Sequence, residues 1–164
     1  MFLEVGSTSE PIHLPLMSGP EGKQREFLED RMRKALVAQP DLARLEERVL
    51  AVGGAMLVTP PDDIEEDLDK MLERGEAFDG RNALLRRGRP IACHANSAAL
   101  WEKHPERYTI CTGYALSRDG LWRQHSWALD GYLKRLIETT TLRLAYFGYR
   151  LDDLEAEAFA SANP

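Results

Sequence analysis

Apolar positions recur at helical spacing in the first half of the chain and alternate in the second. Phe27, Leu28, Met32, Leu36 and Val37 mark one face of a helix over about Lys23–Ala38, and Gln39-Pro40 breaks it. Leu42, Leu45, Val49 and Val52 predict a second helix from about Asp41, stopped by Gly53-Gly54. Ala55-Met56-Leu57-Val58 reads as a short buried strand. Thr59-Pro60-Pro61-Asp62-Asp63 then reads as a helix start with Pro and acid in its first turn. Ile64, Leu68, Met71 and Leu72 extend that third helix to Gly75. The acidic run from Asp62 to Asp69 reads as its solvated face rather than a metal site. Residues 76–92 read as a loop-like link.

Past Lys103 the period changes to two. Tyr108 to Ser117 puts Tyr108, Ile110, Thr112, Tyr114 and Leu116 on one face of a strand. Arg118-Asp119-Gly120 is a hairpin turn, and Leu121–Leu129 is the returning strand. Asp130-Gly131 makes a second turn into a strand over Lys134–Thr141, and Ala145–Tyr149 is a short fourth strand. The pattern predicts a single α+β domain over 1–164, in which helices lead and a Cys-bearing helix packs on an antiparallel sheet. Residues 1–22 form an extended lead-in, 23–75 the helical part and 90–150 the Cys helix plus sheet. The tail, 152–164, reads as a frayed helix or disordered end.

Composition adds limits. A hydrophobic content of 43% and a charged content of 29% fit a globular protein. The net charge of −6 argues against a nucleic-acid backbone or an anionic membrane as partner. No apolar run is long enough to span a bilayer, and Met1–Gly6 lacks a secretory pattern. Two Cys, Cys93 and Cys111, do not make a disulfide framework, so a reducing cytoplasm is the expected location.

Cys93 is where the chain shows its chemistry. Pro90 holds the backbone before it extended. Asn96 and Ser97 favour helix starts, Ala98 to Lys103 read as helix, and His104-Pro105 ends it. A Cys at a helix N-terminus is favoured as thiolate, the nucleophilic form. The competing reading is a small buried hydrophobe. Asn96 reads first as the N-cap and second as a polar group of the site. Arg81, Arg86, Arg87 and Arg89 form a basic cluster, read either as surface or as a selector of anionic substrates, with Arg89 closest to the thiol in sequence.

A catalytic Cys needs a base, and the base an orienting group. Of the four His, His13 lies in the lead-in, His104 at a helix end and His94 beside Cys93 in sequence. That leaves His125, on the second strand. Any even loop after Leu129 places His125 and Glu138 on one side of the sheet; an odd loop separates them. A two-residue Asp119-Gly120 hairpin would set Tyr114 opposite His125. Trp127 shares the His125 face and reads as a shield or as core. Cys93, His94 and His125 make a poor zinc set, because two of them are sequence neighbours and no Cys-x-x-Cys exists; no metal or other cofactor is expected.

The order of a Cys at a helix start, a His on a strand and an acid on the next strand resembles the papain-like thiol hydrolases, with their transglutaminase-like and cell-wall-amidase branches. Cys93-His94-Ala95-Asn96, Thr112-Gly113-Tyr114-Ala115, His125-Ser126-Trp127, Ile137-Glu138-Thr139-Thr140 and Tyr146-Phe147-Gly148 resemble more narrowly a poorly characterised group of bacterial and phage proteins. The resemblance covers about residues 90–150. It implies a papain-like α+β fold and a Cys93–His125–Glu138 triad that cleaves or transfers an amide or ester acyl group. Two departures stand out: Glu138 replaces the more usual Asp, and Arg86, Arg87 and Arg89 occupy the region where many such enzymes place an oxyanion-stabilising Gln. The Cys93 N–H is then the first candidate for that role. The alternative is a non-catalytic relative that binds a protein partner.

Overall fold

A computed structural model describes residues 12, 14, 17–60 and 64–164. Most of the lead-in, His13 included, and residues 61–63 of the expected third-helix start lie outside the described residues. The fold is α+β. Helices α1 (Gly22–Ala38) and α2 (Leu42–Val52) come first, then strand β1 (Met56–Leu57) and helix α3 (Leu68–Arg74). Strand β2 (Glu76–Asp79), a 3-10 turn at Gly80–Asn82 and strand β3 (Leu84–Leu85) precede helix α4 (Cys93–Lys103). Strands β4 (Tyr108–Leu116), β5 (Leu121–Asp130), β6 (Arg135–Glu138) and β7 (Ala145–Arg150) follow, and helix α5 (Asp153–Ala162) closes the chain. No helix among the described residues is long and apolar enough to cross a membrane.

The strands form one mixed sheet in the order β2-β7-β4-β5-β6-β3, with β1 beside the start of β5. Every contact along this path is antiparallel except β3 with β6 and β1 with β5, which are parallel. Side chains alternate across it. Ile110, Tyr114, Leu116, Trp122, Phe147 and Tyr149 point into the larger core, built with α1, α2, α3 and α5. The other face carries Cys111, Ala115, Trp127, Leu129, Leu136 and Tyr146, closed by Phe78. His125 and Glu138 belong to this second face by strand register.

The residues expected to be loop, 76–92, contain β2 and β3. Edge strands of four and two residues leave too little alternation to register in sequence, and their partners, β7 and β6, are distant. The third helix is shorter than expected, and Ile64, assigned to its apolar stripe, is exposed. On α1 the stripe is narrower: Leu28 and Met32 are buried with Ala35, while Phe27 and Val37 face solvent. The tail is an ordered helix. Asp152 accepts from the Glu155 N–H while the Glu155 side chain accepts from the Asp152 N–H, a capping box, and Ala156 and Ala160 are buried.

Loop length sets register on both sides of β5. The first hairpin closes with three residues, Arg118–Gly120, and Gly120 takes the left-handed φ of 84° that ends such loops. An odd loop shifts pairing by one residue, so Gly113 faces His125 and Tyr114 faces Gln124. The expected Tyr114–His125 pair is therefore incorrect. The second loop has four residues between the paired Asp130 and Arg135. Asp130 holds it by accepting from the Tyr132 N–H (2.9 Å) and Leu133 N–H (3.1 Å), and is itself gripped by Arg107 (2.7 Å). The strand then runs to Glu138 rather than Thr141.

Candidate active site

The outer edge of β5 is shared. β1 covers Leu121 and Trp122, and β6 covers Ala128 to Asp130. Between them, residues 123–127 have no strand partner on that side among the described residues, and the N-terminus of α4 packs there. Cys93 is the first residue of α4, as its sequence position implied. There its side chain hydrogen-bonds to His125 and to the backbone of Ser126.

His125 Nε2 meets Glu138 Oε2 at 2.8 Å, which leaves Nδ1 as the nitrogen for the thiol. Both side chains are buried. Continuing the β5–β6 register sets Glu138 level with Trp127, so the carboxylate reaches His125 on the diagonal. Four further donors hold Glu138. Oε1 accepts from the Thr139 N–H (2.9 Å), the Thr140 N–H (2.9 Å) and the Thr140 hydroxyl (3.0 Å). Oε2 also accepts from the Tyr146 hydroxyl (2.8 Å). Trp127 lies nearly parallel to the imidazole at 6.4 Å and packs on Tyr146 at 5.0 Å, so aromatic rings wall the relay off from water.

Burial and pairing pull against each other here, and pairing wins. Burial pushes the Cys93 thiol up, but the His125 hydrogen bond and charge, with the Ser126 backbone, bring it below the ordinary range. Burial pushes His125 down, but its bonds to Cys93 and Glu138 leave it raised. Burial pushes Glu138 up, and the His125 bond and charge, the Thr140 N–H and Tyr146 bring it down. All three shifts favour a thiolate beside an imidazolium beside a carboxylate. Cys111, on the same face, is fully buried, and desolvation drives its thiol strongly upward.

The other expected site residues divide. Asn96 is not the N-cap, because that position is Ala92 and carries no side-chain bond. Instead the Asn96 amide grips one residue of the preceding loop: Oδ1 accepts from the Arg89 N–H (3.0 Å) and Nδ2 donates to the Arg89 carbonyl (2.8 Å). Gly88 lies so close that a Cβ there would sit 2.4 Å from Asn96 Cγ. The Arg89 guanidinium turns away, to the Pro164 carbonyl at 3.3 Å, so Arg89 does not line the triad. Tyr114 lies on the opposite face and donates to Glu65 at 2.6 Å. Trp127 is where its strand position put it.

His94 does not share the thiol's bonds. Its Nδ1 meets Ser126 Oγ at 2.6 Å, and Ser126 Oγ meets Thr112 Oγ1 at 2.9 Å. Burial and the neighbouring His125 hold it below the usual imidazole range, hence neutral. It borders a cavity of about 220 Å³ between α3, α5 and the sheet. No group of three His, Cys, Asp or Glu side chains among the described residues is arranged to hold a metal ion. Tyr146 and Thr140 were missed as site residues. Their signal is register for Tyr146, which pairs with Ala115 on the His125 face, and the Glu-x-Thr spacing for Thr140.

Comparison with known proteins returns no matching family model, no similar curated protein and no similar solved structure.

Proposed function

We propose that the chain is a thiol hydrolase or acyltransferase with a Cys93–His125–Glu138 triad. The observation that carries this is the unbroken hydrogen-bonded line from thiol to imidazole to a carboxylate saturated by donors. His125 Nδ1 takes the Cys93 proton, and the thiolate attacks the carbonyl carbon of an amide or ester. The S–C bond forms, and the leaving nitrogen or oxygen departs with the proton that His125 returns. Water or an acceptor amine then releases the acyl group by the reverse transfer. Glu138 holds the ring in the tautomer that presents Nδ1 to sulfur.

The oxyanion can be served without a Gln. The first intrahelical bond of α4 runs from the Asn96 N–H to the Ala92 carbonyl, so the N–H groups of Cys93, His94 and Ala95 are left over by the helix. The order of the three groups along the chain agrees with the papain-like assignment. A reducing, cytoplasmic compartment suits a free nucleophilic thiol.

The test is iodoacetamide labelling as a function of pH, with mass spectrometry locating the label. Cys93 is expected to react with a midpoint below the ordinary thiol value of about 8.5, and His125→Ala to raise that midpoint. An ordinary or inert Cys93 would overturn the hydrolase reading in favour of a binding role.

A further inference from the structure

The basic residues ahead of Cys93 do not act together. Arg81 is spent on Asp79 (2.5 Å), Arg86 donates to the Tyr108 hydroxyl (2.6 Å) and Arg89 reaches Pro164. Arg87 is exposed and has no hydrogen-bond or ion-pair partner among the described residues. It lines a groove of about 430 Å³ that also contains Arg118 and Arg143. Arg118 is likewise exposed and unpartnered among the described residues.

Arg143 is set across the groove. Its Nε donates to the Thr141 carbonyl (3.0 Å) and its Nη1 to Ser117 Oγ (2.8 Å), leaving Nη2 unused. Among the described residues no carboxylate lines the groove. The nearest acid in sequence, Asp119, is held by Arg123 (2.6 Å) and the Leu121 N–H (3.1 Å). Three arginines thus line one groove with no counter-anion among the described residues, in a chain whose acidic residues outnumber its basic ones by 27 to 21.

Both walls of the groove are tied to the triad. Arg87 is flanked by the Arg86 N–H, which donates to the Glu138 carbonyl (2.8 Å), and the Gly88 N–H, which donates to the Thr139 carbonyl (2.9 Å). Six residues on from Arg87 stands Cys93, and the Asn96 clamp binds this segment to the first turn of α4. On the other wall, the Arg143 backbone hydrogen-bonds to the Tyr146 hydroxyl, which in turn donates to Glu138.

We propose that this groove is an anion subsite that seats one compact oxyanion, a carboxylate or a phosphate group, between Arg87, Arg118 and Arg143. Guanidinium forks match both groups with paired N–H donors. Leu85 and the half-exposed Leu142 supply an apolar wall for the carbons beside the anion. The volume suits a ligand of dipeptide size. Assigning the anion to the substrate, as the free carboxylate of a peptide or acylamino acid, rests on the thiol-hydrolase reading; the anion subsite itself does not.

The experiment is an NMR titration of the full chain carrying Cys93→Ser, which keeps the probes intact. The probes are N-acetyl-Ala-Ala, the same dipeptide with its carboxylate amidated, and inorganic phosphate. The free dipeptide is expected to shift the Nε–H signals of all three arginines saturably, and its amide to leave them in place. Arg87→Gln and Arg118→Gln together are expected to weaken binding about tenfold or more, with the rest of the spectrum unchanged because both side chains are exposed. Binding of phosphate without the dipeptide would uphold the subsite and overturn its assignment to a substrate carboxylate. Absence of any saturable shift, or equal binding of the dipeptide and its amide, would overturn the subsite. Labelling of Cys93 reports on the thiol separately, so either reading can fail alone.

Discussion

Glu138 reaches His125 diagonally, from a position level with Trp127, and the 2.8 Å contact exists because the loop between β5 and β6 has an even number of residues. Parity of a turn therefore decides whether the imidazole has a partner.

One prediction concerns that loop. Inserting a single glycine between Gly131 and Tyr132, with the four-residue length of the loop kept, slips β6 by one residue so that Asp130 pairs with Lys134 and Glu138 turns toward the other face. The Cys93 labelling midpoint is expected to return to the ordinary thiol range of about 8.5. A two-glycine insertion restores parity and is expected to leave the midpoint closer to that of the parent. Identical midpoints for both insertions would contradict the parity argument.

A second concerns charge on the orienting group. Glu138→Gln keeps the size but removes the charge that holds the imidazolium. The thiolate–imidazolium pair weakens, so the labelling midpoint rises. Turnover on any substrate found is expected to fall about 10²- to 10⁴-fold. The amide nitrogen must also face one of the donors now held by Glu138, so stability is expected to drop by about 1–3 kcal/mol in urea denaturation.

A third concerns the turn into α4. Ile91 adopts a φ of 57°, a left-handed value that a β-branched residue rarely takes, and its side chain is 99% exposed. Nothing gained by burial offsets the strain, which is of order 1–2 kcal/mol. The Asn96–Arg89 clamp holds the turn in place instead. Ile91→Gly is expected to raise stability by up to about 1 kcal/mol, the added freedom of the unfolded chain taking back part of the gain. Asn96→Leu is expected to lower stability by about 1–3 kcal/mol, because the Arg89 N–H and carbonyl lose their partners. Denaturation midpoints check both.

A fourth concerns acid. The Arg74 hydrogen bonds, outweighing burial, pull the Glu155 carboxyl from 4.5 to about 2, with Lys70 adding to them. A lowered carboxyl stabilises the fold above its unfolded value and stops doing so as pH falls through its folded value. The contribution of this pair is therefore complete above about pH 5 and is lost as pH falls from there toward 2. Arg74 is 36% exposed, so solvent screening limits the contribution to roughly 1 kcal/mol. Arg74→Met is expected to flatten the acid limb of stability over that window, measured by urea midpoints at successive pH values.

What could be read in advance follows from where the information lies. The helices and the long hairpin announce themselves by period, and Cys93, His125 and Glu138 follow from chain order plus parity. Tyr114 was misplaced because the length of the first hairpin rests on one glycine's left-handed turn, which Asp-Gly alone does not determine. β2 and β3 exist only through their partners, so a sequence window around residues 76–92 contains little of the cause. The ordered tail was legible in Asp152 and Glu155, whose spacing is that of a capping box. The groove lined by Arg87, Arg118 and Arg143 has no local signature, since three separate loops contribute to it.

The burial of the His125–Glu138 pair has one more consequence, for its response to ionic strength. Mobile ions screen charges in water over about 8 Å at physiological salt but do not enter a dry relay walled by Trp127 and Tyr146. Added sodium chloride is therefore expected to leave the Cys93 midpoint in place while loosening any anion held by the exposed Arg87 and Arg118. One chain thus carries two sets of charges, one governed by its own packing and the other by the ions around it.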